Sequence, residues 1–174
     1  MSRTSTAELY SLAVQFAQDH AFLADPDEAA GRCFWAALRF AWVADDHGHQ
    51  VEVIRWRLAN DPDYNDHWAV ILQGNQVIDH TRAQVDGQAG IFWRTSQYPA
   101  NYFAPRRYPA SLLLTHFQRQ QHEADGQFGP GYMASVKARL AEFDAGRYPA
   151  PPIPVHGWGL LALAFAFLAW RVLA

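Results

Sequence analysis

This sequence predicts an α+β domain: a buried helix packed on a small antiparallel sheet, with further helices on the surface. Three observations carry that expectation. Residues 33–44 hold one charge, Arg39, and place apolar side chains on nearly every side, the pattern of a helix enclosed by protein. Residues 50–58, 67–72 and 76–81 are short strand-like runs. The order helix, buried helix, strand, strand, strand keeps the strands together, as an antiparallel sheet packed on a helix requires.

The bulk properties fit. The 174 residues suffice for one domain with an appendage. Half of them are hydrophobic and seven are Trp, enough for a core without disulfides or metals. The net charge of −3 gives no support to sequence-independent nucleic-acid binding, which needs a basic face. One cysteine rules out an internal disulfide and leans towards the cytosol. The first 20 residues have no uninterrupted apolar run of the kind a secretory signal carries.

Taken in order, residues 6–20 form a helix. Ser5 and Glu8 have capping-box spacing, and Leu9, Leu12, Ala13 and Phe16 share a face. Asp25, Pro26 and Glu28 then start a helix as cap, first position and third position. Gly31 either weakens that helix or resets it. The buried helix follows and ends at "DDHGH", with Gly48 as its C-terminal stop. "QVEVIRWRL" is a strand. "HWAVIL" and "QVIDHT" form a hairpin about Gln73, Gly74 and Asn75.

Residues 82–111 show little periodicity and read as a long ordered loop over the domain. "SLLLTHFQRQQHEAD" and "YMASVKARLAEFDAG" read as surface helices. The expected organisation is a domain over 1–146, a Pro-rich spacer over 147–154 and a hydrophobic helix over 155–174. The uninterrupted apolar run in that tail covers 14 residues, Gly157 to Trp170. A bilayer span needs roughly 20, reached only if the helix runs from Pro154 and Arg171 snorkels. The tail is therefore expected to contact a membrane, with docking on protein as the alternative. The expected location is cytoplasmic, anchored through 155–174.

Cys33, His67 and Asp79 carry the chemistry. A thiol is a good nucleophile as thiolate, and a neighbouring imidazole takes its proton and holds the pair. The imidazole needs a third group to fix its tautomer. A helix N-terminus favours the thiolate. Cys33 stands near a helix start, His67 opens one strand, and Asp79 ends the next. In a hairpin centred on Gly74, positions 67 and 81 are opposite and 79 is a diagonal neighbour, about 7–8 Å away between Cα atoms. The competing account is plain: a lone cysteine in an apolar helix is usually a small core residue, and Asp79 can cap the turn before Thr81.

The pattern resembles the papain-like and transglutaminase-like cysteine enzymes. It is most similar to compact bacterial branches: transglutaminase-like proteases, lasso-peptide leader peptidases and papain-fold toxins. The resemblance rests on "HWAV" and "VIDHT" behind a cysteine in a buried helix, and covers about residues 30–84. It implies a papain-like or transglutaminase-like core. It also implies a cysteine hydrolase acting on a peptide or protein substrate, a peptidase before a deamidase or transglutaminase. Cys33 is then the nucleophile, His67 the general base and acid, and Asp79 the orienting carboxylate. The backbone N–H of Cys33 is one oxyanion donor. A papain-type enzyme supplies the second from a Gln about six residues upstream of the cysteine, where this chain has Asp27. Trp35, Gln15 and Gln18 are substitutes to consider.

Trp35, Trp68 and Trp93 are candidate substrate-binding residues, joined by Tyr98 and Tyr102, although core packing accounts for each ring taken singly. No cofactor or metal is expected. His47 and His49 beside Asp45 and Asp46 read as a solvated helix end, and His80 as structural. Two rival functions remain: a non-catalytic binding module of the same fold, and a membrane-tethered interaction protein whose tail is the functional part.

Overall fold

The computed structural model describes residues 6–59, 66–88, 90–114 and 130–146. Helix α1 (Thr6–Asp19) buries Leu9, Ala13 and Phe16 and leaves Leu12 half-buried. Asp25 accepts the N–H groups of Asp27 and Glu28 at 2.9 and 3.2 Å and starts α2 (Pro26–Ala29). That helix lasts one turn. Gly31 takes φ +74°, a left-handed conformation that glycine adopts without steric cost, and the chain restarts as α3 (Cys33–Asp46). The glycine thus resets the helix. Cys33 occupies the first position of α3, not a place two turns inside a longer one.

Helix α3 is the buried helix. Phe34, Trp35, Leu38 and Phe40 are all enclosed, each contributing about 1.5–3 kcal/mol through removal from water. It packs on a five-stranded antiparallel sheet of order β4-β3-β2-β1-β5. The strands are β1 (Glu52–Leu58), β2 (Asp66–Ile71), β3 (Gln76–Ile78), β4 (Phe92–Arg94) and β5 (Tyr102–Pro109). Short helices α4 (Ala83–Asp86) and α5 (Ala110–Leu114) flank the last two. The class is α+β.

The hairpin between β2 and β3 has the register that centring on Gly74 demands: Val70 faces Ile78 and Ile71 faces Val77. Gly74 and Asn75 both take positive φ, +72° and +65°. Glycine and asparagine tolerate that conformation better than other residues.

Residues 82–111 are not one long loop. They hold α4, β4, β5 and the start of α5. Periodicity is missing because β5 lies at a sheet edge, where Phe103 to Arg107 are exposed and burial imposes no alternation. Pro105 and Pro109 are tolerated at such an edge.

Strand β2 feeds two faces. Trp68 packs on Phe34 of α3, ring centroids 4.8 Å apart. The opposite face gathers Ile54, Trp56, Ala69, Ile71 and Val77, with Trp93, Tyr98 and Tyr102 packed against them. His67 pairs with Trp56 across the strands and belongs to this second face.

The chain divides into two compact units between Met133 and Ala134, within α6 (Pro130–Asp144). The latter matches the helix expected over 132–146. The helix expected over 111–125 is described only as far as Leu114. The spacer over 147–154 and the hydrophobic segment over 155–174 lie outside the described residues. Among the described residues, no helix is long and apolar enough to cross a membrane.

Candidate active site

Three elements converge on one imidazole. His67, the second residue of β2, is 2% exposed, and its Nε2 lies 2.8 Å from Asp79 Oδ2. Asp79 follows β3 directly and is 1% exposed. Cys33 arrives from the first turn of α3. Its Sγ lies 3.8 Å from the carbonyl oxygen of Asp66, the residue before His67, and its interaction with the His67 ring favours the imidazolium form of that ring. Cys33, His67 and Asp79 therefore stand together, as their order in the sequence predicts.

Asp79 is held from four directions. Oδ2 accepts from His67 Nε2 and from the Tyr98 hydroxyl at 2.7 Å. Oδ1 accepts from the backbone N–H and the hydroxyl of Thr81, both at 3.0 Å. The Thr81 pair is a local Asx-type turn, so capping the turn and orienting the histidine are one role. Tyr98 is itself held by Arg82. That guanidinium lies 4.3 Å from the Tyr98 ring centre and 4.6 Å from that of Trp93. Arg82 also donates to Asp86 at 2.7 Å and to the Gln97 carbonyl at 3.0 Å.

Opposing effects set the charges. Burial alone would drive His67 neutral. The Asp79 carboxylate, through its charge and hydrogen bond, and then Cys33, outweigh it and raise the imidazole to about 10. Burial alone would raise Asp79. The His67 charge and bond, with the hydrogen bonds from Tyr98 and Thr81, outweigh it and lower Asp79 to about 2. Burial, with the neighbouring Asp79 charge, also raises the Tyr98 hydroxyl, which stays a donor.

A pH dependence follows. His67 titrates higher folded than unfolded, so its contribution is complete below about pH 6.5 and is lost as pH rises towards 10. Asp79 titrates lower, so its contribution is complete above about pH 4 and is lost as pH falls towards 2. The pair is most stabilising between these limits. Urea unfolding should show a free energy lower at about pH 9 than at about pH 5, by up to about 3 kcal/mol. A value equal or higher at the alkaline end would exclude a buried imidazolium.

The rings around His67 are Tyr102, Trp56 and Tyr98, with centroids 5.4, 5.9 and 6.1 Å away. The tryptophans singled out in the sequence lie as follows. Trp35 is buried against His20 and Phe22. Trp68 is buried against Phe34 and Tyr108. Trp93 is half-buried on Arg82 and lines a cavity of about 350 Å³ with Tyr10, Phe92 and Arg94. Gln15 is exposed and bonds Asp19, and Gln18 is exposed.

The sequence reasoning missed Gln84. Its side-chain amide nitrogen lies 3.2 Å from His67 Nδ1. No spacing rule points to it, because its position depends on the one-turn helix α4. Arg82 and the bond from Tyr98 were also missed. His80 is structural: its Nε2 donates to the Ala13 carbonyl at 3.1 Å between the rings of Phe16 and Phe40, and burial lowers it to about 4. His47 donates to the Val43 carbonyl at 2.8 Å on an exposed helix end. Among the described residues, no cluster of three metal-ligating side chains occurs.

The arrangement is a buried carboxylate, an imidazole aligned by it, and a thiol at a helix start beside the ring. Chemically it can create a thiolate, move a proton at Nδ1 and hold the resulting imidazolium. No protein-family model, curated protein or solved structure compared with this chain matches it.

Proposed function

We propose that this protein is a cysteine-dependent hydrolase with a papain-like or transglutaminase-like core, cleaving a peptide bond or a glutamine side-chain amide. The observation that carries the reading is the buried 2.8 Å bond from His67 to Asp79, made beside a thiol on the first residue of α3. A core histidine needs no buried carboxylate aimed at its far nitrogen, and a core cysteine needs no imidazole.

The steps follow from the groups. The Cys33 thiolate attacks the carbonyl carbon, a C–S bond forms, and the carbonyl electron pair moves onto oxygen. The imidazolium gives its Nδ1 proton to the leaving amine as the C–N bond breaks. Water, deprotonated by the same nitrogen, then cleaves the thioester and releases the acid. Asp79 remains an anion throughout and fixes the ring through Nε2. Peptidase action is favoured over deamidation or transglutamination. The segment over 155–174 would tether the enzyme to a membrane or a partner.

One observation favours the non-catalytic module: Cys33 is only 8% exposed. Alkylation separates the two. The enzyme should react with iodoacetamide at pH 6 faster than a free cysteine does, with the adduct on Cys33 by peptide mass mapping. A rate below that of the free amino acid would favour the inert module.

A further inference from the structure

We infer that Gln84 is a catalytic residue: its side-chain amide is the second donor to the oxyanion formed when Cys33 attacks a carbonyl. The inference rests on the cysteine-hydrolase reading above and supplies the donor that reading lacks.

Such a reaction needs two hydrogen-bond donors at the developing oxygen. The Cys33 backbone N–H is one. It opens α3, where the first four N–H groups have no acceptor within the helix. The upstream segment provides no amide for the other. Asp27 is an exposed acceptor in the first turn of α2, while Gln15 and Gln18 are exposed on α1. Gln84 arrives from the opposite direction, past Asp79 in the chain. It is half-buried on α4, which Thr81 and Arg82 anchor through backbone bonds of 3.1 and 2.9 Å to Gln84 and Val85. Its amide sits 3.2 Å from Nδ1 of His67, the ring nitrogen that Asp79 leaves open, on the same imidazole that Cys33 acts on.

An amide suits that place chemically. It both donates and accepts, so it can meet Nδ1 whether or not that nitrogen carries a proton. When the C–S bond forms and the carbonyl pair moves to oxygen, the amide N–H turns onto the new anion. Nδ1–H passes to the leaving amine, the C–N bond breaks, and the oxygen pair returns to the carbonyl. A cation there would repel the imidazolium, and a carboxylate would repel the oxyanion.

Two probes of Cys33 separate this role from mere support of the ring. Acylation by p-nitrophenyl acetate passes through a tetrahedral oxyanion; alkylation by iodoacetamide does not. On the full chain, Gln84→Ala should slow the nitrophenolate burst by about 100-fold and alkylation by no more than about threefold. Gln84→Glu, which keeps the shape but repels negative charge, should slow acylation at least as much. Equal losses with both probes would make Gln84 a positioning residue for His67 and overturn the assignment. So would an unchanged burst. If the wild-type chain reacts with neither probe faster than free cysteine, the hydrolase reading fails, and this inference with it.

Discussion

His67→Ala should slow iodoacetamide alkylation of Cys33 at pH 6 by about 10- to 100-fold. A free thiol ionises near pH 8.5, so at pH 6 only about 0.3% of it is thiolate. The hydrolase proposed above needs a larger reactive fraction, and His67 is the group that would supply it. Raising the pH should narrow the gap between the variant and the wild type. Circular dichroism at both pH values distinguishes a lost ion pair from lost structure. Equal rates at pH 6 would mean that the imidazole does nothing for the thiol.

Removing the carboxylate should have the largest effect on stability. In Asp79→Ala, the His67 charge loses its partner in a site 2% exposed, and Tyr98 and Thr81 lose the acceptor they share. Breaking a buried pair by deleting one member costs about 3–5 kcal/mol, which urea unfolding measures directly. Asp79→Asn keeps the volume and an acceptor oxygen, so it should unfold at higher urea than Asp79→Ala. It still lacks the charge, so the proposed hydrolysis should drop by about 10²- to 10⁴-fold. A loss below about 1 kcal/mol in the alanine variant would show that the carboxylate is not holding a buried cation.

Much of this was legible before any coordinates. The all-round apolar run from Cys33 announced the buried helix, and the glycine in "QGN" fixed the hairpin register. Register then brought Asp79 to the side of His67, because strand pairing converts sequence position into distance. Asp25 and Pro26 mark a helix start in sequence and structure alike, but pattern alone does not say whether Gly31 ends that helix. Its left-handed backbone decided the matter and put Cys33 at the front of α3. Strand β5 stayed hidden because an exposed edge leaves no alternation to read. Gln84, Arg82 and Tyr98 reach the site through tertiary packing between segments with no periodic signature. The resemblance to papain-like enzymes pointed upstream for the missing donor, whereas the amide on the ring comes from downstream.

The alternation along β2 has an outcome for misfolding. His67 and Trp68 are neighbours on one strand, yet one meets the Asp79 carboxylate and the other packs α3 onto the sheet. A slip of one residue would exchange them. The imidazole would be driven into the helix-facing layer, and the indole would take its place beside the carboxylate. A slipped isomer would leave Asp79 without its imidazole and α3 without its indole, so misaligned strands should lose stability along with the His67–Asp79 pair.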